Sequence, residues 1–224
     1  MRSDPIAALA SPRRSPDGIE YRSLSAEAAA AAAGELGVPL RQVEILALGR
    51  GIVPERYQRN MGSLGLDGQI ALLESRVAIV GVGGIGGTAL ELCARLGFGA
   101  VVLFDGDAFA ESNLNRQILS AADTLGMPKV DVAARRVAAV TPAVEIVPRR
   151  EKATEIGLPA AIEGCAAVID GLDSLQARFA VARACAAASV PFVHGAVAGF
   201  YGQVATLYRS EKHTAELQSR IPIA

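Results

Sequence analysis

The sequence predicts a doubly wound α/β fold: a mainly parallel sheet with helices on both faces, plus a small helical appendage at the N-terminus. Short β-branched runs at 77–80, 101–104, 144–147, 168–169 and 192–193 are continuously apolar, as strands covered on both faces must be. Ala-, Leu- and Arg-rich stretches at 85–97, 127–140, 157–164 and 174–188 lie between and after those runs and read as helices. A glycine-rich turn, Gly81 to Gly87, separates the first run from the first helix. Strand, glycine turn and helix in that order make the arrangement Rossmann-like.

The elements before that core are short. Residues 1–20 are rich in Pro, Ser and Arg and are expected to be a flexible lead-in. Ser25 can cap a helix through the Ala block at 26–33, with Gly34 as its stop. A second helix is expected over 39–48, where Leu40, Val43, Leu46 and Ala47 share a face. Gly51 and Pro54 break the chain, and the segment to Leu73 reads as helical in parts, interrupted by Gly62, Gly65 and Gly68. The expected organisation is a lead-in and appendage over 1–50, a core domain over 51–208 and an atypical tail over 209–224.

Composition narrows the function classes. The 224 residues are enough for one large domain on the usual allowance of about 100–200 residues. Lys and Arg number 22 against 23 Asp and Glu, a formal net charge of −1, with no long run of one sign. Neither a nucleic-acid partner nor a membrane partner is expected from that balance, and a charged ligand must be held by a local site. Hydrophobic residues make up 51% but aromatic ones only 4%, with no Trp, which argues against an aromatic stacking platform. The N-terminus breaks any apolar core of a signal peptide with prolines and charges, so a cytoplasmic location is the expectation. Cys93, Cys165 and Cys185 stand far apart in Ala- and Leu-rich stretches and read as buried structural residues.

Gly81, Gly83, Gly84 and Gly86 allow the tight turn and close backbone approach by which a helix N-terminus meets an anionic phosphate. Asp105, at the end of the next strand, can accept from ribose hydroxyls. The turn alone leaves ATP, NAD and FAD open. Asp107, Arg116, Lys129 and Asp173 shift the balance, because a triphosphate with Mg²⁺ needs extra cations and a carboxylate for the metal. That set suits ATP better than a dinucleotide.

Glu55-Arg56-Tyr57-Gln58-Arg59-Asn60, the glycine turn, Asp105-Gly106-Asp107, Ser112-Asn113-Leu114-Asn115-Arg116-Gln117, Gly126-Met127-Pro128-Lys129 and Asp170-Gly171-Leu172-Asp173 occur in that order. Together they resemble the MoeB/ThiF/HesA family of adenylyltransferases, relatives of ubiquitin-activating enzymes, over residues 51–207. The resemblance implies ATP-dependent adenylation of the C-terminal glycine of a small ubiquitin-like sulfur-carrier protein, with release of pyrophosphate. It implies ribose binding at Asp105, a site asparagine at Asn113, phosphate binding at Arg116 and Lys129, Mg²⁺ at Asp173, and an Arg59 that reaches across a homodimer. No proton need be abstracted, so catalysis would rest on positioning and charge neutralisation.

Plainer roles compete at each position. Asn113 and Arg116 fit a solvated loop, Lys129 a helix-start surface lysine, Asp173 a helix N-cap, and Arg59 a surface residue. His194 reads as a satisfied core histidine rather than a base. The alternative functions are a nucleotide-binding scaffold without catalysis and an NAD(P)-dependent oxidoreductase. Many family members carry two C-x-x-C zinc pairs after the position of residues 204–207; this chain has none there, so no structural zinc is expected. The resemblance ends at Tyr208, and 209–220 is similar to the translation of a sequencing-library adapter, so the natural C-terminal portion is expected to be missing.

Overall fold

The N-terminal segment departs most from expectation. In the computed structural model, which describes residues 4–15, 18–154 and 157–208 and the backbone of 219–222, the expected lead-in holds a helix, α1 (Pro5–Leu9), and a strand, β1 (Ser11–Arg14). Asp4 caps α1 by accepting the Ile6 N–H, Pro5 opens its first turn, and Ile6 is fully buried. β1 pairs antiparallel with β2 (Glu20–Leu24), and β2 pairs parallel with β3 (Ile52–Pro54). The appendage is therefore a mixed α/β unit, not a helical one. β1 is an exposed strand of sequence Ser-Pro-Arg-Arg, so it carries no alternating apolar pattern; its partner strand supplies what its sequence lacks.

Two helices cover that small sheet. Ser25 caps α2 (Ala26–Leu36) as expected, its hydroxyl accepting the Ala28 N–H at 3.1 Å. Gly34 does not stop the helix, which runs on until Gly37 makes a left-handed exit at φ 66°. α3 (Leu40–Leu48) follows, and Ile6, Leu24, Ala32, Val43, Ala47 and Ile52 close a core of their own.

A 3₁₀ turn over Glu55–Asn60 and α4 (Met61–Glu74), broken at Gly65, join the appendage to the body. The junction is held by a buried polar cluster. Tyr57 donates its hydroxyl to Glu44 at 3.1 Å, Arg56 lies 3.4 Å from the same carboxylate, and Arg56 also donates to the Thr141 hydroxyl. Burial pushes the Glu44 carboxyl above its usual range, outweighing the opposite pull of Arg56 and the Tyr57 hydrogen bond.

The body is built on β4 (Arg76–Val80), α5 (Gly84–Leu96), β5 (Ala100–Phe104), α6 (Lys129–Val140), β6 (Glu145–Arg149), α7 (Leu158–Ala161), β7 (Ala167–Asp170), α8 (Leu175–Ala188), β8 (Phe192–Ala198), β9 (Tyr201–Leu207) and β10 (Ser219–Pro222). The strands lie in the order β10-β9-β8-β7-β4-β5-β6. From β6 to β8 all neighbours are parallel, whereas β9 and β10 are antiparallel additions. Strand alternation sorts the core into two layers. Val77, Ile79, Val101 and Leu103 pack under Leu90 of α5 and Val137 of α6. Ala78, Val80, Val102 and Phe104 face Leu158 of α7 and Val181 of α8 on the other side. Helices thus cover both faces, as the sequence predicts.

The chain runs β4, β5, β6 in one direction and then returns to place β7 on the far side of β4. The reversal opens a crevice beyond the carboxyl ends of β4 and β7, where open α/β sheets take their ligands. The sequence reading missed β9 and β10. β9 begins with Tyr201, Gly202 and Gln203 and has an exposed face, and residues 209–218 lie outside the described residues.

Candidate nucleotide site

Three backbone segments meet at the crevice. A Cβ on Gly86 would lie 1.8 Å from the Gly81 carbonyl oxygen, and one on Gly171 would lie 2.2 Å from that same oxygen. Only glycine at 86 and 171 lets the turn after β4 and the turn after β7 nest against each other. Gly83, at the N-cap of α5, has no capping side chain, so the first N–H groups of that helix remain available to an anion.

Asp105 ends the strand beside this turn and anchors it. Its Oδ2 accepts the Val82 N–H and its Oδ1 accepts the Asp107 N–H, each at 2.8 Å. A carboxylate has about four lone-pair sites, so two remain for ribose hydroxyls.

The crevice encloses about 330 Å³. Gly81, Gly83, Gly84, Asp105, Asp107, Arg116, Lys129 and Asp173 line it, which brings most of the expected site residues to one place. Lys129 opens α6 and is 7% exposed, so it is not a surface lysine. Its Nζ lies 3.8 Å from Asp107 and 6.0 Å from the centre of the Phe109 ring. Arg116 is exposed and donates to the Ser112 carbonyl at 2.7 Å and the Asn115 carboxamide at 3.0 Å, a loop-tethered guanidinium with further donors to spare. Asp173 is exposed and makes no hydrogen bond or ion pair with the described residues. The helix cap that competed for it belongs to Ser174, which accepts the Ala177 N–H.

Three expected site residues lie outside the lining. Asn113 is buried and locks its own loop by accepting the Ala110 N–H at 3.0 Å. Gly86 acts through packing. Arg59 sits on the exposed side of the 3₁₀ turn, with no partner among the described residues.

Two lining residues escaped the sequence reading. Lys152 stands 4.0 Å from Asp107 Oδ1, while Lys129 approaches the other carboxylate oxygen. Gln117 is 7% exposed, and its carboxamide oxygen is buried with no hydrogen-bond partner among the described residues. An orphaned acceptor in a polar crevice leaves hydrogen-bonding capacity for a ligand. The three cysteines stay out of the site. Burial pushes the Cys93 and Cys185 thiols up to about 11, so neither is a ready nucleophile. Among the described residues no cluster of three His, Cys, Asp or Glu could hold a metal by itself, and no helix is long and apolar enough to cross a membrane.

The ThiF family profile matches residues 57–222, running past Tyr208, where the resemblance was expected to end. The chain is 36% identical over 155 residues to the SAMP-activating enzyme E1 of Haloferax volcanii, covering 68% of this chain and 57% of that one. It is 34% identical over 169 residues to the molybdopterin-synthase adenylyltransferase of Salmonella typhimurium, covering 74% and 68% respectively. Among solved structures it resembles the E. coli tRNA N6-threonylcarbamoyladenosine dehydratase in complex with ATP, with a TM-score of 0.59 and 28% identity. That match covers 62% of this chain and 57% of the dehydratase.

Proposed function

Since this chain belongs to the ThiF family, we propose that its crevice binds ATP and transfers the adenylyl group to a carboxylate, as an adenylyltransferase does. The observation that carries the reading is the convergence of Arg116, Lys129 and Lys152 with the uncapped N-terminus of α5 and an unpartnered Asp173 around one crevice. A dinucleotide needs less positive charge than that. The names of the relatives, a SAMP-activating enzyme, a molybdopterin-synthase adenylyltransferase and a dehydratase solved with ATP, support it.

In the reaction a carboxylate oxygen attacks the α-phosphorus, the bond from that phosphorus to the bridging oxygen breaks, and pyrophosphate leaves. An acyl-adenylate remains. Asp105 orients the ribose, Lys129 and Arg116 hold the phosphates, and the α5 N–H groups neutralise charge as it builds on the leaving group. The site fits Mg²⁺ in the form that ion usually takes, held by one or two carboxylates with phosphate oxygens and water, and Asp173 would be its protein ligand. When bound, the ion supplies further charge neutralisation for the departing pyrophosphate.

The acceptor in this proposal is the C-terminal glycine of a small ubiquitin-like sulfur-carrier protein, and the enzyme is a cytoplasmic homodimer in which Arg59 serves the partner's crevice. A second reading places the activated carboxylate on a tRNA nucleoside, after the dehydratase. The near-neutral chain, with no run of basic residues, favours the protein acceptor. ATP–pyrophosphate exchange dependent on a carrier ending in Gly-Gly, and absent with threonylcarbamoylated tRNA, is the expected result. Exchange with the tRNA alone selects the second reading, and no exchange with either acceptor leaves a nucleotide-binding scaffold.

A further inference from the structure

Behind the crevice, Asp170 closes β7 with no exposed surface. Its Oδ2 accepts from Arg178 Nε at 2.7 Å and from His194 Nδ1 at 2.6 Å, while its Oδ1 accepts the Leu172 N–H at 3.0 Å. Because that oxygen already faces a guanidinium as a carboxylate, the imidazole nitrogen pointing at it is the one that carries hydrogen. Arg178 Nη2 also donates to the Leu172 carbonyl. Both backbone groups of Leu172 are therefore fixed, one by Asp170 and one by the residue that pairs with Asp170. Gly171 is pinned too, through its N–H to the Val80 carbonyl at 2.8 Å and its nesting against Gly81 and Gly86. The next residue is Asp173, exposed in the crevice and bound to nothing described.

The turn thus has a rigid base and a free head. The base is gripped from α8 by Arg178 and from β8 by His194, the two elements that follow it in the chain. We propose that Arg178 and His194 are positioning residues: acting through Asp170, they fix the Leu172 backbone so that the Asp173 carboxylate meets the phosphate end of the ligand, and they keep Gly171 seated on the glycine turn. The proposal rests on the crevice being a nucleotide site. It separates the two ends of the ligand, because Asp105, where a ribose would be held, follows β5 and Asp173 follows β7, on opposite sides of β4 and its glycine turn.

The test uses the full chain with His194→Ala, His194→Asn and Arg178→Lys, and measures affinity for ATP with Mg²⁺ and for AMP without metal by calorimetry. Loss of a residue that fixes the Leu172 backbone next to a metal-facing carboxylate should weaken Mg·ATP about tenfold in His194→Ala and Arg178→Lys, with AMP changed less than about twofold. Asn carries an amide N–H near the place of Nδ1, so His194→Asn should recover to within about threefold of wild type. Hydrogen exchange provides a readout without ligand: peptides covering 170–174 and 81–86 should exchange faster in His194→Ala while the appendage stays unchanged. If His194→Ala does not fold, His194→Asn and Arg178→Lys carry the comparison. Equal losses for Mg·ATP and AMP, or unchanged exchange in a protein that binds ATP, overturn the positioning role alone. A wild-type chain that binds neither nucleotide overturns the crevice reading and the positioning role with it.

Discussion

At Asp173 a carboxylate stands in a crevice lined by three cations and pairs with none of them, so in the proposed reading its charge is left for the ligand's metal ion. Replacing it with Asn keeps size and polarity and removes the charge. Folding should be preserved, and pyrophosphate exchange should fall roughly 10²- to 10³-fold, the scale of losing one aimed electrostatic group. Unchanged exchange in a folded Asp173→Asn protein removes the role. Gly171 invites the opposite kind of test, because the atoms its Cβ would strike, the Gly81 oxygen at 2.2 Å and the Gly86 Cα at 2.9 Å, are backbone. Gly171→Ala should cost about 3 kcal/mol in denaturant unfolding, since a close-packed backbone cannot move aside. A loss below about 0.5 kcal/mol would show that the turns part easily. Spacing and residue type made Asp105, Lys129 and Asp173 legible in the sequence, since strand ends and helix starts place them. Lys152 was not legible, because Arg149-Arg150-Glu151-Lys152 reads as a solvated charge run and only the return of β6 beside β5 brings it to the crevice. Gln117 stood within a quoted motif, but burial cannot be read from a loop sequence.

Elements join through two glutamates whose surroundings act in opposite senses. Glu44, between α3 and the 3₁₀ turn, has its carboxyl raised by burial. Stability tied to its protonated form is fully present below the ordinary value of 4.5 and is lost as pH rises through the raised one. Glu44→Gln keeps an acceptor for Tyr57 without the buried charge. The melting temperature of the variant relative to wild type should therefore climb as pH rises above that ordinary value. Glu91, which joins α5 to α6, is held low first by its hydrogen bonds from Arg136, at 2.8 and 2.7 Å, and also by Arg95. Its contribution is present above the ordinary carboxyl range and is lost as pH falls through the lowered value. Glu91→Gln should thus be less stable than wild type at neutral pH, with the gap closing in acid. A pH-independent difference in either melting series would show that the pairing matters less than the packing around it. The central elements were readable because their apolar runs, though short, are continuous and alternate with helical stretches. The appendage sheet and the antiparallel strands were not, because polar or exposed strands take their conformation from neighbours distant in sequence.

For the whole molecule, the position of Arg59 outside its own crevice gives the dimer proposal its test. Arg59→Ala and Asp173→Ala chains, each inactive alone, are mixed under conditions of demonstrated subunit exchange. Random pairing makes about half the dimers mixed, each with one intact composite site, so about a quarter of the wild-type activity should return. An Arg59 that serves its own chain restores nothing, and a strictly monomeric protein removes the claim.

The two borders of the main sheet are unlike. β6 forms one border and carries Pro148, which has no N–H to offer, between the charged residues Glu145 and Arg149. A strand arriving there finds an interrupted ladder, whereas the opposite border strand, β10, carries its proline, Pro222, only as its last residue. Runaway fibre growth by edge stacking needs two receptive borders on every copy. With β6 resistant to further pairing, growth of that kind has only the β10 side to use.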